Sequence, residues 1–179
     1  MVRTVVAYEF LSLDGVAERP DEFVTDFDDV MHENLDRVIA TQDAVLLGRR
    51  TYDEWAEFWP RSDIEPFASF INSVEKFVVT STTPAAIWAN ATVVEGGLVE
   101  FVTKLRQQPG NDIGVHGSIA LTQSLLGQGL VDELRLVIAP ALHGNGRKLF
   151  AKGPPRRLRL TRNITSPSGC VLLDFEVGG

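Results

Sequence analysis

The chain has 179 residues, 44% of them apolar and 23% charged, and a formal net charge of −7. This length and balance suit one globular domain spanning 1–179 and exclude a disordered tail. The acidic charge argues against nucleic acid as a main partner, and no window supplies the roughly 20 consecutive apolar residues of a membrane span.

The N-terminal MVRTVVAYEF is too short and too polar for a signal peptide, so a soluble cytoplasmic protein is expected. Residues 2–10 read as a first strand. Ser12-Leu13-Asp14-Gly15 follows it as a turn signal and leads into a polar stretch, 17–29, with six acidic residues. Such a loop can cover a substrate, and Asp14 is either a turn residue or a substrate contact.

Residues 27–41 predict a helix with Met31, Leu35, Val38 and Ile39 on one face. Ala44–Leu47 is a short apolar strand ended by Gly48, and Thr51–Phe58 a helix that Pro60 stops. Lys76–Ser81 and Thr92–Glu95 are strands, with loop between Pro84 and Asn90. Val99–Arg106 is a helix closed by Pro109-Gly110. Asp112–Val115 is the next strand, Ser118–Leu126 the helix behind it, and 131–138 a long strand.

The last third changes character. Residues 157–164 and 170–177 alternate apolar and polar, with the turn signal SPSG between them, which predicts an antiparallel hairpin with one wet face. Cys170, the lone cysteine, falls in this apolar pattern and reads as a buried, inert thiol. The fold class expected is α/β, with a mostly parallel central sheet and an antiparallel C-terminal edge.

Three strand ends offer chemistry suited to phosphate. Gly48-Arg49-Arg50-Thr51 places two guanidinium groups and a hydroxyl where a strand becomes a helix. Arginine's planar fork matches phosphate oxygens, although the same residues also fit a solvated helix start. Thr80-Ser81-Thr82-Thr83 ends a strand in four hydroxyls. His116-Gly117-Ser118 opens the helix after the fifth strand, where free amides and the helix dipole converge. Ser118 is expected to cap that helix, and His116 to contact a ligand or make a structural hydrogen bond. Three such ends together point to an extended, multiply phosphorylated ligand such as a dinucleotide. Neither G-x-G-x-x-G nor a P-loop is present, and no spacing suggests metal ligands.

The ordered set SLDG (12–15), LLGRRTY (46–52), VVTST (78–82), VHGS (115–118), GLVDEL (129–134) and GNGRKLF (144–150) resembles the dihydrofolate-reductase-like superfamily. More closely it resembles the branch of the riboflavin-biosynthesis reductase (RibD) C-terminal domain. The resemblance implies a three-layer α/β/α fold and NADPH bound across the carboxyl ends of the central strands. It also implies an NADPH-dependent oxidoreductase acting on a small heterocyclic or carbonyl substrate, and a homodimer. The riboflavin enzyme itself reduces a ribosylamino-pyrimidine phosphate. A nucleotide-binding protein that keeps the fold without turnover is the alternative.

By this resemblance Gly48, Arg49, Arg50 and Thr51 form the phosphate-contacting turn, with Arg49 the partner of the 2′-phosphate. Ser81 and Thr82 lie on the adenosine-ribose side. His116, Gly117, Ser118 and Ile119 form the pyrophosphate turn, and Val16 and Ala17 the loop beside the nicotinamide. Dihydrofolate reductases carry a glycine pair where this chain has His116-Gly117. They also carry a carboxylate on the first helix, where this chain has His32 with Glu33, Asp29 and Asp36 nearby. Asp14, Asp36 and Glu33 are therefore the candidates for proton supply.

Overall fold

The computed structural model describes residues 1–150 and 153–178. Eight strands form one sheet: β1 (Val5–Ser12), β2 (Gln42–Gly48), β3 (Glu75–Val79), β4 (Ala91–Val93), β5 (Asp112–His116), β6 (Glu133–Ala139), β7 (Leu158–Thr165) and β8 (Val171–Val177), in spatial order β4-β3-β2-β5-β1-β6-β8-β7. The first six run parallel, while β8 pairs antiparallel with β6 and β7 antiparallel with β8. The sequence pattern marks the change, because strands covered on both faces need continuous apolar runs. VVAY and AVLL are such runs, whereas the last two strands alternate.

Helices cover both faces. On one, α1 (Asp29–Ile39), α2 (Arg49–Phe58) and α3 (Phe67–Ser73) bury Met31, Leu35, Val38, Tyr52, Phe67 and Ile71 against Tyr8, Val45, Leu47 and Val78. On the other, α4 (Leu98–Gln107) and α5 (Ile119–Gly127) bury Val102, Leu105, Leu121 and Leu125 against Val5, Ala7, Ala44, Leu46, Ile113 and Val115. Successive strand residues point to opposite faces, so one strand such as β2 feeds both cores. The expected three-layer architecture with an antiparallel edge is what the chain adopts. No helix among the described residues is long and apolar enough to cross a membrane.

Two elements depart from the sequence reading. Helix α3 is absent from it, since its inward residues Phe67, Ala68 and Ile71 fill less than two turns after Pro66. Its last carbonyls are held by an unexpected partner. Lys76, fully buried, donates from Nζ to Ile71 O at 2.8 Å and Val74 O at 2.9 Å, with the Trp88 ring beside it. Strand β3 stops at Val79 rather than Ser81, because Thr80 Oγ1 accepts the Thr82 amide and turns the chain.

Candidate functional site

Strands β2 and β5 are neighbours, yet the chain leaves β2 towards one face as α2 and β5 towards the other as α5. A crevice opens between carboxyl ends that diverge in this way. Both helices begin at it, α2 after Gly48 and α5 after Ser118, and neither has a side-chain cap. The expected capping role of Ser118 is replaced by another. Its hydroxyl accepts the Gly48 amide at 3.1 Å, joining the two strand ends. Thr51 Oγ1 donates to Gly117 O at 3.0 Å and adds a second tie. The first amides of α5, those of Ile119, Ala120 and Leu121, have no carbonyl acceptor within the helix. Gly117 has φ +58°, and a Cβ there would lie 2.9 Å from Trp55 Cζ2. Both the conformation and the contact require glycine.

One strand further out, Arg49 crosses from the start of α2 to the turn after β3. Its Nη1 donates to Thr82 Oγ1 at 2.6 Å and to Thr82 O at 3.0 Å, and Nε pairs with Asp53 at 2.7 Å. Nη2 has no partner among the described residues. Ser81, exposed, sits between the two threonines of this turn. Arg50 turns away, pairing with Glu54 at 3.2 Å and with Glu18 at 3.1 Å.

On the far side, the loop after β1 clasps the loop after β6. Val16 bridges Lys148, Ala17 N donates to Arg147 O, and Leu149 N donates to Gly15 O. Val16 and Ala17 are buried, so their side chains support this loop from beneath. Asp14 is the knot of the clasp. Its carboxylate accepts the Ser12 hydroxyl at 2.6 Å, the His143 amide at 3.0 Å and the Gly144 amide at 2.9 Å. These donors, Ser12 foremost, hold Asp14 well below the usual carboxylate range. It therefore stays ionised and ties two loops, where the sequence offered it for proton supply. Asp14→Asn removes the charge that three donors converge on. Amide exchange at His143 and Gly144 is then expected to quicken roughly tenfold, as charge-assisted bonds are lost. Unchanged exchange by mass spectrometry would show that the clasp does not depend on Asp14.

The other two candidate acids are also placed elsewhere. Glu33 and Asp36 are exposed on α1, on the face opposite Met31, Leu35 and Val38. The inward polar residue of that turn is Asn34, buried and accepting from Arg37 at 3.0 Å and Arg162 at 2.9 Å. Asp14 is thus committed to the clasp, and Glu33 and Asp36 face solvent.

His116 gives the crevice only its backbone. Its ring turns back under the sheet, 2% exposed, with Nε2 2.7 Å from Gln42 Oε1 and its edges against Tyr8, Phe67 and Phe70. Burial pushes it down to about 3, so it is neutral. Because Gln42 Oε1 is an acceptor, Nε2 carries the hydrogen. Of the two roles open to His116, ligand contact and a structural hydrogen bond, the ring takes the second.

One residue of the neighbourhood escaped the sequence reading. Glu9 of β1 is fully buried on the α5 side of the sheet, accepting Thr122 Oγ1 at 2.9 Å. The signal was present: a lone carboxylate inside VVAYEFL, a strand covered on both faces, has no wet side to face.

The family profile of the RibD C-terminal domain matches residues 3–172. Uncharacterized protein YyaP of Bacillus subtilis (strain 168) is 31% identical over 142 residues, covering 76% of this chain and 75% of its own. Among solved structures, a Shewanella sp. PV-4 protein named for riboflavin biosynthesis superposes with TM-score 0.80 at 19% identity, over 100% of both chains. A pyrimidine reductase-like protein of Corynebacterium diphtheriae gives 0.72 at 15% identity, over 99% of this chain and 92% of its own. The bifunctional deaminase/5-amino-6-(5-phosphoribosylamino)uracil reductase of Thermotoga maritima gives 0.68 at 14%, over 99% of this chain and 57% of its own. These structural likenesses show the shared fold, and with the profile and the sequence relative they lead to one conclusion: the chain belongs to the RibD C-terminal domain family, whose fold is that of a reductase.

Proposed function

We propose that the chain is an NADPH-dependent reductase of a small heterocyclic or carbonyl substrate, with the cofactor lying across the ends of β3, β2, β5 and β1. The observation that carries this reading is the donor set at the crevice. A half-free guanidinium sits beside hydroxyls at one end, and uncapped helix amides lie at the centre. Four adjacent strands span roughly 14 Å at the usual spacing, which suits an extended dinucleotide. Arg49 with Thr82 and Ser81 would hold the 2′-phosphate and its ribose, while Arg50, paired with Glu18 and Glu54, takes no part. The amides of Ile119 and Ala120 would take the pyrophosphate, where Gly48 and Gly117 let it approach the backbone. The Val16–Ala17 loop would flank the nicotinamide, which when bound supplies a hydride.

The protein's own contribution is then to orient the cofactor and keep water from its reactive face. With Asp14 held ionised and Glu33 and Asp36 facing solvent, the proton that completes the reduction comes from solvent. The homodimer implied by the family resemblance would form through β7, the edge strand, which carries an exposed Leu160.

Fluorescence titration tests the cofactor directly, with micromolar NADPH binding expected. Arg49→Ala is expected to weaken NADPH by roughly 10- to 100-fold and NADH by far less, the size of one or two charge-assisted hydrogen bonds. No binding of either cofactor, or an Arg49→Ala variant with unchanged preference, would overturn the reading. Binding without hydride transfer to any pterin, pyrimidine or quinone would move the chain to the non-catalytic alternative.

A further inference from the structure

We propose that Glu9 is a positioning residue whose protonation sets how strongly the α5 turn holds an anion; this rests on the functional reading above. Glu9 lies beneath the turn. From β1 its side chain enters the α5 side of the sheet, where Thr122 Oγ1 donates to it and the Ser118 amide is its second polar neighbour. It therefore reaches the positive end of α5 from inside, while a phosphate would reach the same end from the crevice. The Ser118 amide lies near enough to Glu9 to favour its charged form, while the Ser118 hydroxyl accepts the Gly48 amide. The amides of Ile119, Ala120 and Leu121, which precede the first closing bond from Thr122 to Ser118 O, are left for a ligand.

Two anions on opposite sides of one turn compete for one dipole and repel through a dry medium. Nothing nearby offsets the Glu9 charge. By strand alternation Ala7 and Leu11 share its face of β1, Leu136 stands opposite on β6, and α5 offers Ile119 and Thr122. None of these is charged, and Glu9 forms no ion pair among the described residues. Burial raises the carboxyl to about 8. At pH 7 the group is thus a neutral acid that leaves the dipole to the ligand. Once ionised, it competes with the ligand's charge for that dipole from the opposite side of the turn.

Binding of an anion to the turn must then draw a proton onto Glu9 above this value. The test measures affinity and proton uptake from pH 7 to 9.5, using NADPH and, separately, ADP-ribose. In that range the secondary ionisation of a phosphate monoester, near pKa 6, is complete, and the pyrophosphate diester does not titrate. Wild-type affinity for both is expected to fall several-fold towards pH 9.5, with a limiting slope of tenfold per unit. Calorimetry in buffers of differing ionisation enthalpy is expected to show a fraction of a proton taken up on binding at pH 8. Glu9→Gln imitates the neutral acid, so its affinity should match wild type at pH 7 within about twofold and stay flat to pH 9.5. The proton uptake should vanish.

Binding with no proton uptake in the wild type, or a slope that persists in Glu9→Gln, overturns this inference and leaves the functional reading intact. Should neither NADPH nor ADP-ribose bind at any pH, both fall together. The wild-type uptake measurement needs no variant and decides the matter even if Glu9→Gln folds poorly.

Discussion

Unfolding free energy is expected to be flat between about pH 4.5 and 6.5 and to fall on either side, because two buried groups on opposite faces of the sheet oppose each other. Glu9 rises on folding from 4.5 to about 8 through burial. Between those values the unfolded chain releases a proton that the folded chain keeps, so stability falls as pH rises, by about 1.4 kcal/mol per unit. His116 behaves in the opposite sense. Burial lowers it from 6.5 to about 3. Between those values the unfolded chain binds a proton that the folded chain refuses, so stability falls as pH falls, at the same rate. Where the ranges overlap, the slopes cancel.

Above pH 6.5 only Glu9 of this pair still acts, and about 2 kcal/mol is expected to be lost by pH 8. That is a large part of the 5–15 kcal/mol typical of a domain. The exposed His143, raised by its bond to Glu22, adds a shallow loss of the same sign. Glu9→Gln changes the shape of the curve as well as its height. Stability should then rise from pH 3 to 6.5, led by His116 with Asp14 and Asp28 adding to the rise at its acid end, and lie nearly flat from there to about pH 8, where buried Lys76 begins to release its proton. Urea unfolding in steps of half a pH unit reads both profiles. A wild-type maximum at pH 8 or above, or a Glu9→Gln curve parallel to wild type, would refute the assignment of these slopes.

The same two residues show what the sequence could and could not disclose. The strand–turn–helix units at 46–52 and 113–119 were legible, because an apolar run emptying through glycine into a helix has few other solutions. The hairpin was legible from its alternation and from SPSG. The three strand ends whose residues suit a phosphate could be placed together by topology alone, since β3, β2 and β5 are parallel neighbours. Side-chain direction was not legible. His116 belongs to the turn in sequence, but strand alternation sends its ring inward beside Tyr8, which pairs with it in register. Ser118 occupies the cap position, yet the Gly48 amide on a strand 70 residues away claims its hydroxyl. Asp14 looked like an available acid because nothing local reveals that the 143–144 amides fold back onto it. In each case a long-range partner decided the role, and such partners leave no mark on local spacing.

Gly114→Ala is expected to destabilise the protein by about 1–3 kcal/mol, although alanine normally suits a strand better than glycine. The position is not demanding in conformation but in space. Gly114 sits mid-strand in β5, paired with Val6 on one side and Val45 on the other. A Cβ there would lie 2.0 Å from Gln42 Oε1, 2.6 Å from Gln42 Cδ and 2.8 Å from His116 Nε2. The Gln42–His116 hydrogen bond runs directly over the glycine, so a methyl group and that bond cannot coexist. The variant either breaks the bond, leaving buried polar atoms unpaired at about 1–3 kcal/mol each, or displaces β2 from β5 at an overpacking cost of about 1–3 kcal/mol. Both routes reach the crevice, since Gly48 and Gly117 end these two strands. Combining the change with Gln42→Ala removes the side chain that the methyl group meets. The double variant is therefore expected to be more stable than the sum of the singles by at least about 1 kcal/mol. Urea unfolding at pH 6, within the flat region, measures all four proteins. Strict additivity, or a Gly114→Ala loss below about 1 kcal/mol, would mean that the space above this glycine is not what keeps it there.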